Sequence, residues 1–437
     1  MTTSEITEIS TEPMGPQIGE FRAPIAQRKL RVLYVWDADY PWDVRTEKIC
    51  ATLASAGHDV HIAARNARRE RTVERLPEGT VHRMPPMRWA GRAVDTALGF
   101  PAFFNPRWLS LLDRTVRRLR PDVVICRDIP LAPTTLWAGH RHGVPVVLDI
   151  AENYPAMLRM VFDAGVHRPT DHLVRNPAAA ALVEKYSLQR ADRVIVVIEE
   201  MAERMVKMGI PADRIDVVSN TPPRSRAEGE PERRRRPEGQ PLGLVYLGHL
   251  EVPRGIMEMV EAVALLRRDG LPVRATIVGK GRDAQLFKDR ARELGLTDAD
   301  VSFLGYVDRD TALRAVQEAD IGVLPHHVNE QWNTSIPNKL FDYMAVSLPV
   351  VSSNPEPFAR ITRATGAGEV FQGGDASSLA DAIRRLADPD LRERYGIAGR
   401  RAILDRYNWE YDTAIMMRCL DRVVGRKDSA RSRGRGS

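Results

Sequence analysis

Short runs of aliphatic and β-branched residues recur along the chain, each followed by a polar loop and then by apolar positions at helical spacing. The first run is Leu30-Arg-Val-Leu-Tyr-Val35; residues 45–56 follow with a helical period and stop at Gly57. A glycine just past the last periodic residue marks a helix C-terminus, because it accepts the left-handed backbone found there. The runs 59–63, 122–126, 144–148 and 193–197 continue this series, and 244–247, 274–278, 301–304, 321–324 and 349–352 form a second one. They are short and nearly continuous rather than alternating, as strands buried on both faces are. Each series therefore predicts a parallel sheet with helices on both sides.

Residues 221–241, between the two series, are rich in Pro, Arg, Glu and Gly and read as a linker. At 437 residues the chain is long for a single core. The expected architecture is α/β, with two Rossmann-like doubly wound domains facing a central cleft. The predicted divisions are a disordered leader at 1–28, a first domain at 29–222, the linker at 223–241 and a second domain at 242–405. A terminal helix at 406–425 and a basic tail at 426–437 complete them. Ligands of such sheets bind beyond the carboxyl ends of the strands, and the polar motifs of this chain fall at those ends.

Composition narrows the setting. No apolar run approaches the roughly 18 residues of a spanning helix, and residues 1–27 are polar and acidic, unlike a signal peptide. Cys50, Cys126 and Cys419 are far apart and suggest neither a disulfide framework nor a zinc site, which favours a cytoplasmic protein. The net charge of +6 is carried mainly by arginine clusters: 233–236, the tail from 426, and Arg114, Arg117, Arg118 and Arg120. No nucleic-acid module accompanies them, so nucleic acid is not expected as a partner. An anionic membrane surface fits the aromatic and basic stretch Arg88–Arg120, which includes Trp89, Phe100, Phe103, Phe104 and Trp108.

The densest chemistry lies in Asn333-Thr-Ser-Ile-Pro-Asn-Lys339-Leu-Phe-Asp342-Tyr-Met-Ala345. It reads as a polar loop and then a helix with Pro337 in its first turn, capped by Asn333, Thr334 or Ser335. Such a terminus suits a phosphate. Lys339 and Asp342 are three apart and share a face, so one can meet a diphosphate and the other the hydroxyls of a ribose. This segment resembles the donor-binding segment of glycosyltransferase family 4 enzymes of the GT-B fold, in the branch with a Pro-Asn-Lys-Leu-Phe-(Glu/Asp)-Tyr-Met-Ala core. The resemblance extends over roughly 30–416. It implies a nucleoside-diphosphate-sugar donor, UDP being commoner than GDP, a retaining transfer, and no cofactor or metal. It also implies that the terminal helix crosses back onto the first domain.

Other motifs acquire roles from the same resemblance. Gly248-His249-Leu250 and Arg254-Gly255 match the loop whose two cations grip the diphosphate, with His249 standing where the first cation is expected. Gly279-Lys-Gly281-Arg-Asp-Ala284 fits a dinucleotide fingerprint, but it follows the second strand of its domain rather than the first; the resemblance makes it a turn near the nucleotide base. Thr334 occupies the place of a sugar-contacting Glu, leaving Thr334 and Ser335 to bind the sugar, with Ile336 and Asn338 beside them. Adjacent His326 and His327 point apart on an extended segment and are not read as metal ligands.

In the first domain, Asp149-Ile-Ala-Glu152-Asn153 resembles an Asp-x-His-Glu element with Ala151 in place of the His. Glu152 is the acid–base candidate there, or else a helix-capping carboxylate. Glu199-Glu200 reads as a helix start. Asp43, Arg45 and Asn153 are placed on the acceptor side, and Arg45 either meets a phosphate or pairs with Asp39 or Asp43. The expected catalytic set is Arg254, Lys339 and Glu152, acting on a glycan, lipid-linked or small-molecule acceptor. The alternatives are a nucleotide-sugar 2-epimerase of the same architecture and a non-catalytic binding partner.

Overall fold

The computed structural model describes residues 28–433 except 42, 88–90, 101–102, 164, 166–174 and 230–238. The leader to residue 27, the arginines at 233–236, Arg88 and Trp89, and the side chains from 426 onward lie outside the described residues.

Two sheets form the framework. The first comprises β1 (Arg31–Val35), β2 (Asp59–Ala64), β3 (Val73–Leu76), β4 (Gly79–Arg83), β5 (Val123–Arg127), β6 (Val146–Ile150), β7 (Arg193–Val196) and β8 (Ile215–Val217). Their order is β3-β4-β2-β1-β5-β6-β7-β8, parallel throughout except for the β3–β4 hairpin at one edge. The second contains β9 (Leu242–Leu247), β10 (Val273–Val278), β11 (Val301–Gly305), β12 (Ile321–Leu324), β13 (Val350–Ser353) and β14 (Gly368–Phe371), ordered β11-β10-β9-β12-β13-β14 and wholly parallel. β1, β5, β6 and β7 are almost completely buried, which accounts for their unbroken apolar sequences. β3 and β4 escape a reading of apolar runs because their edge position leaves Glu74, Arg75 and Thr80 in place of aliphatic residues.

The helix Trp409–Arg433 packs on the first sheet. Its Met416, Cys419, Leu420 and Val423 share a core with Leu30, Val32, Tyr34, Ile49 and Leu53. Burying one Met or Leu side chain contributes roughly 1.5–3 kcal/mol, which holds this helix to the first domain. Trp409 also donates from Nε1 to Thr52 Oγ1 at 2.7 Å and from its backbone N–H to Pro222 O at 2.9 Å. Further links join the domains. Arg360 of the second domain pairs with Glu199 and Glu200 of the first at 2.8 and 2.6 Å. Glu199 and Glu200 thus open a helix, Glu199–Lys207, and hold a domain contact.

Candidate functional site

A cleft of about 840 Å³ lies between the domains, walled by residues at or beyond the carboxyl ends of β1, β5, β6, β7, β8 and β9 and by the segment after β12. On the second-domain wall the helix Lys339–Ala345 begins two residues after Pro337. The expected caps are corrected: Asn338 is the N-cap residue and makes no side-chain capping bond. Trp332–Thr334 instead form a separate 3-10 turn, and Ser335 is extended. The candidate caps are engaged elsewhere: the Thr334 hydroxyl donates to Glu330 O at 2.8 Å and accepts from Asn153, and the Asn333 side-chain oxygen accepts from Glu356 N–H at 3.1 Å.

Lys339 is the centre of this wall. Its Nζ lies 3.9 Å over the Tyr246 ring and has no hydrogen-bond partner among the described residues. Burial, and then the Arg254 charge, push its pKa well below the usual lysine range. Gly248 makes room for it: at φ +145 a β-carbon there would lie 2.8 Å from Lys339 Nζ. Arg254 stacks over Trp332, with its guanidinium carbon 5.2 Å from the ring centroid, and its Glu251 partner stands 3.7 Å away. Two basic side chains therefore share one end of the cleft, Arg254 with Glu251 as a carboxylate partner and Lys339 with its charged form disfavoured. Asp342 lines the cleft as well; burial raises its carboxyl pKa, opposed by Arg226, Lys48 and Arg309. His249, Ser335, Ile336 and Asn338 also face the cleft.

Several expected contacts are placed differently. Gly279 and Gly281 are not part of the cleft lining. A β-carbon on Gly279 would fall 1.7 Å from Gly248 O, and one on Gly281 2.0 Å from Leu250 O. These glycines let the β10 loop pack beneath the β9 loop. The Thr334 hydroxyl accepts a hydrogen bond from Asn153 Nδ2 at 3.1 Å, so both side chains are spent on a domain contact and neither lines the cleft. His327 pairs with Glu258 at 2.8 Å. His326 is completely buried against Trp332 and Phe358, and burial, then Lys339 and Arg254, keep its imidazole neutral.

On the first-domain wall Arg45 pairs with neither Asp39 nor Asp43. Its buried guanidinium donates to Asp149 from two nitrogens, at 2.6 and 3.1 Å, and to Ser219 O at 3.3 Å. Tyr34 Oη donates to the same carboxylate at 2.8 Å. Burial opposes ionisation of Asp149, but Arg45 and Arg127 outweigh it and hold the pKa below the usual range. Asp43 caps the helix Val44–Ser55 by accepting from Thr46 N–H at 2.7 Å. Glu152 lines the cleft, while Asn153, not Glu152, accepts the capping bond from Ala156 N–H at 3.2 Å.

Arg127, Gln331 and Trp332 line the cleft and were missed by sequence reasoning. Arg127 ends β5 and pairs with Asp128 at 2.7 Å; its signal was its position at the carboxyl end of a buried strand. Nothing in the sequence distinguishes Gln331 and Trp332 from an ordinary loop. In the stretch 88–120, Trp108 and Leu112 are fully buried, whereas Phe104, Arg114, Arg117 and Arg120 are exposed. Its apolar pattern is therefore chiefly that of a core helix. Among the described residues no helix is long and apolar enough to cross a membrane.

The family model for the glycosyl transferase 4-like domain matches residues 43–221, and that for glycosyl transferases group 1 matches 241–388. The chain is 32% identical over 183 residues to a phosphatidyl-myo-inositol mannosyltransferase of Mycobacterium leprae, a match spanning 41% of this chain and 46% of that protein. It is 27% identical over 300 residues to a glycogen synthase of Mycobacterium tuberculosis, spanning 68% of this chain and 67% of that one. Less than half the length of the first relative is thus represented. Among solved structures, a sucrose-phosphate synthase from Thermosynechococcus elongatus superposes with a TM-score of 0.70 at 18% identity, covering 90% of this chain and 98% of that one. Anabaena HepE in complex with UDP gives a TM-score of 0.67 at 13% identity, covering 90% and 100%. At these identities the structural likeness establishes the fold, two Rossmann-like domains of the GT-B type.

Proposed function

Because the chain belongs to the glycosyltransferases, a 4-like domain followed by a group 1 domain in a GT-B fold, we propose that it moves a sugar from a nucleoside-diphosphate sugar to a hydroxyl of a glycan, lipid-linked or small-molecule acceptor. One observation carries this reading: the buried Lys339 amino group, without a hydrogen-bond partner among the described residues, shares the cleft with Arg254. A diphosphate beside these two basic groups would accept from the Arg254 guanidinium and favour the charged form of Lys339. Asp342 is suited to the ribose hydroxyls. UDP is favoured over GDP, in keeping with the UDP bound to the structurally similar HepE.

The transfer follows from that charge. The bond between the anomeric carbon and the diphosphate oxygen breaks, and the electron pair leaves with the diphosphate. Arg254 and Lys339 stabilise the developing charge, without a metal, and this is the main catalytic contribution. The acceptor oxygen bonds to the anomeric carbon from the same face, giving retention, and its proton passes to the departing phosphate oxygen. Glu152, on the opposite wall, orients the acceptor hydroxyl. The acceptor body enters past Met157 and Val161, which line both the cleft and a neighbouring pocket of about 340 Å³. A lipid-linked acceptor fits the exposed Arg114, Arg117 and Arg120 facing an anionic membrane surface. The three buried free thiols fit a reducing cytoplasm.

Calorimetric titration of UDP and GDP into the wild type and Lys339→Met tests the reading. One nucleotide should bind the wild type and lose at least tenfold in the variant. Equal affinities, or no binding of either nucleotide to the wild type, would overturn it.

A further inference from the structure

The diphosphate end of the cleft is defined by Arg254 and Lys339, and the polar atoms next to it are unsatisfied. Gln331 and Trp332 are more than nine-tenths buried, both line the cleft, and neither the Gln331 side-chain oxygen nor Trp332 Nε1 has a hydrogen-bond partner among the described residues. A buried acceptor and a buried donor left unpaired each cost stability, so a pair of them in one wall of a cleft points to a ligand that offers both functions.

Thr334 does not offer them to a ligand. Its hydroxyl donates to Glu330 O and accepts from Asn153, which orients it toward the domain contact. Trp332 is held in position from two sides. Arg254 lies over its ring at 5.2 Å, and the buried His326 meets it edge-on at 4.6 Å. The indole thus lies against Arg254, one of the two side chains assigned to the diphosphate, and a group esterified to a diphosphate held there would lie near it.

We propose that Gln331 and Trp332 form the sugar-recognition pair of the donor site, the Gln331 amide oxygen accepting from one sugar hydroxyl and Trp332 Nε1 donating to another. This assignment rests on the donor reading above and concerns the hexose portion alone. A hydroxylated pyranose suits the pair because each hydroxyl both donates and accepts.

The test compares dissociation constants for UDP, UDP-glucose, GDP and GDP-mannose in the wild type, Trp332→Phe and Gln331→Met. Trp332→Phe keeps an aromatic ring under Arg254 and removes the N–H; Gln331→Met keeps the length and removes the amide. Thermal midpoints establish that each variant is folded, and either variant alone suffices to read the effect. The expected result is a loss of roughly fivefold to tenfold for the bound nucleotide sugar, with the matching free nucleotide unchanged. Equal losses for nucleotide and nucleotide sugar, or no loss for either, would overturn this assignment and leave the donor reading standing. Failure of the wild type to bind UDP or GDP would overturn both.

Discussion

The side-chain amide of Asn153 donates a 3.1 Å hydrogen bond to the hydroxyl of Thr334, joining the two domains beside the cleft. Asn153 also caps its own helix through Ala156, so one side chain serves both the fold of the first domain and its attachment to the second. Asn153→Ala should destabilise by about 1–2 kcal/mol, from a lost cap and a lost buried bond. Thr334→Val should cost about 1 kcal/mol. The two are in contact, so their effects should couple by roughly 0.5–1.5 kcal/mol in a double-mutant cycle read by urea unfolding. Strict additivity would mean that the contact carries no energy.

Among the described residues Arg254 has Glu251 as its carboxylate partner, at 3.7 Å, and in the proposed mechanism its charge stabilises a departing diphosphate. Arg254→Ala should lower turnover on the order of 100-fold, as loss of a charge-stabilising donor does elsewhere. Arg254→Lys should recover part of it, since the charge returns without the fork geometry. The measurement is nucleoside diphosphate release with a donor that the wild type turns over; an unchanged rate in the alanine variant would remove Arg254 from the mechanism.

Lys339 has its pKa depressed because burial and Arg254 disfavour the ammonium. A bound diphosphate would favour it again, so binding should take up protons. Calorimetry at pH 8 in two buffers of different ionisation heat should show net uptake, and Lys339→Met should abolish it. Affinity should weaken as pH rises. Proton-neutral binding by the wild type would show that the ammonium is already fully charged in the empty site.

Asp412 is buried at the junction of the crossover helix and the first domain, where its carboxylate accepts from Ser219 N–H and the Thr221 hydroxyl. Burial, only partly offset by those bonds and by Arg45 and Lys48, pushes its pKa from 3.8 up to about 7. The native state therefore binds the proton more tightly than the unfolded chain. The stability this contributes is complete below pH 3.8 and is lost as pH rises through 7. Asp412→Asn removes the titration, so its thermal midpoint should gain on the wild type from pH 5 to about pH 7 and level off above it. Parallel midpoints across that range would place the carboxyl in an ordinary environment.

Two doubly wound α/β domains were legible in the sequence because strands buried on both faces must be almost wholly apolar and helices must repeat near 3.6 residues; the GT-B assignment rested on the resemblance carried by residues 333–345. Those constraints act residue by residue along the chain. Gly248, Arg254, Lys339 and Asp342 stood out for a similar reason: loops at strand ends announce themselves through glycine and charge, and all four line the cleft. The edge strands β3 and β4 did not announce themselves, since an exposed edge requires no aliphatic run. Partner choice was beyond the sequence altogether. That Arg45 belongs to Asp149, 104 residues away, and Asn153 to Thr334, 181 away, depends on how the chain brings distant segments together. Whether a hydroxyl or an amide is spent within the protein or left facing the cleft is a property of three-dimensional neighbours. Tertiary structure therefore decided that the Thr334 hydroxyl is occupied while Gln331 Oε1 and Trp332 Nε1 have no hydrogen-bond partner among the described residues.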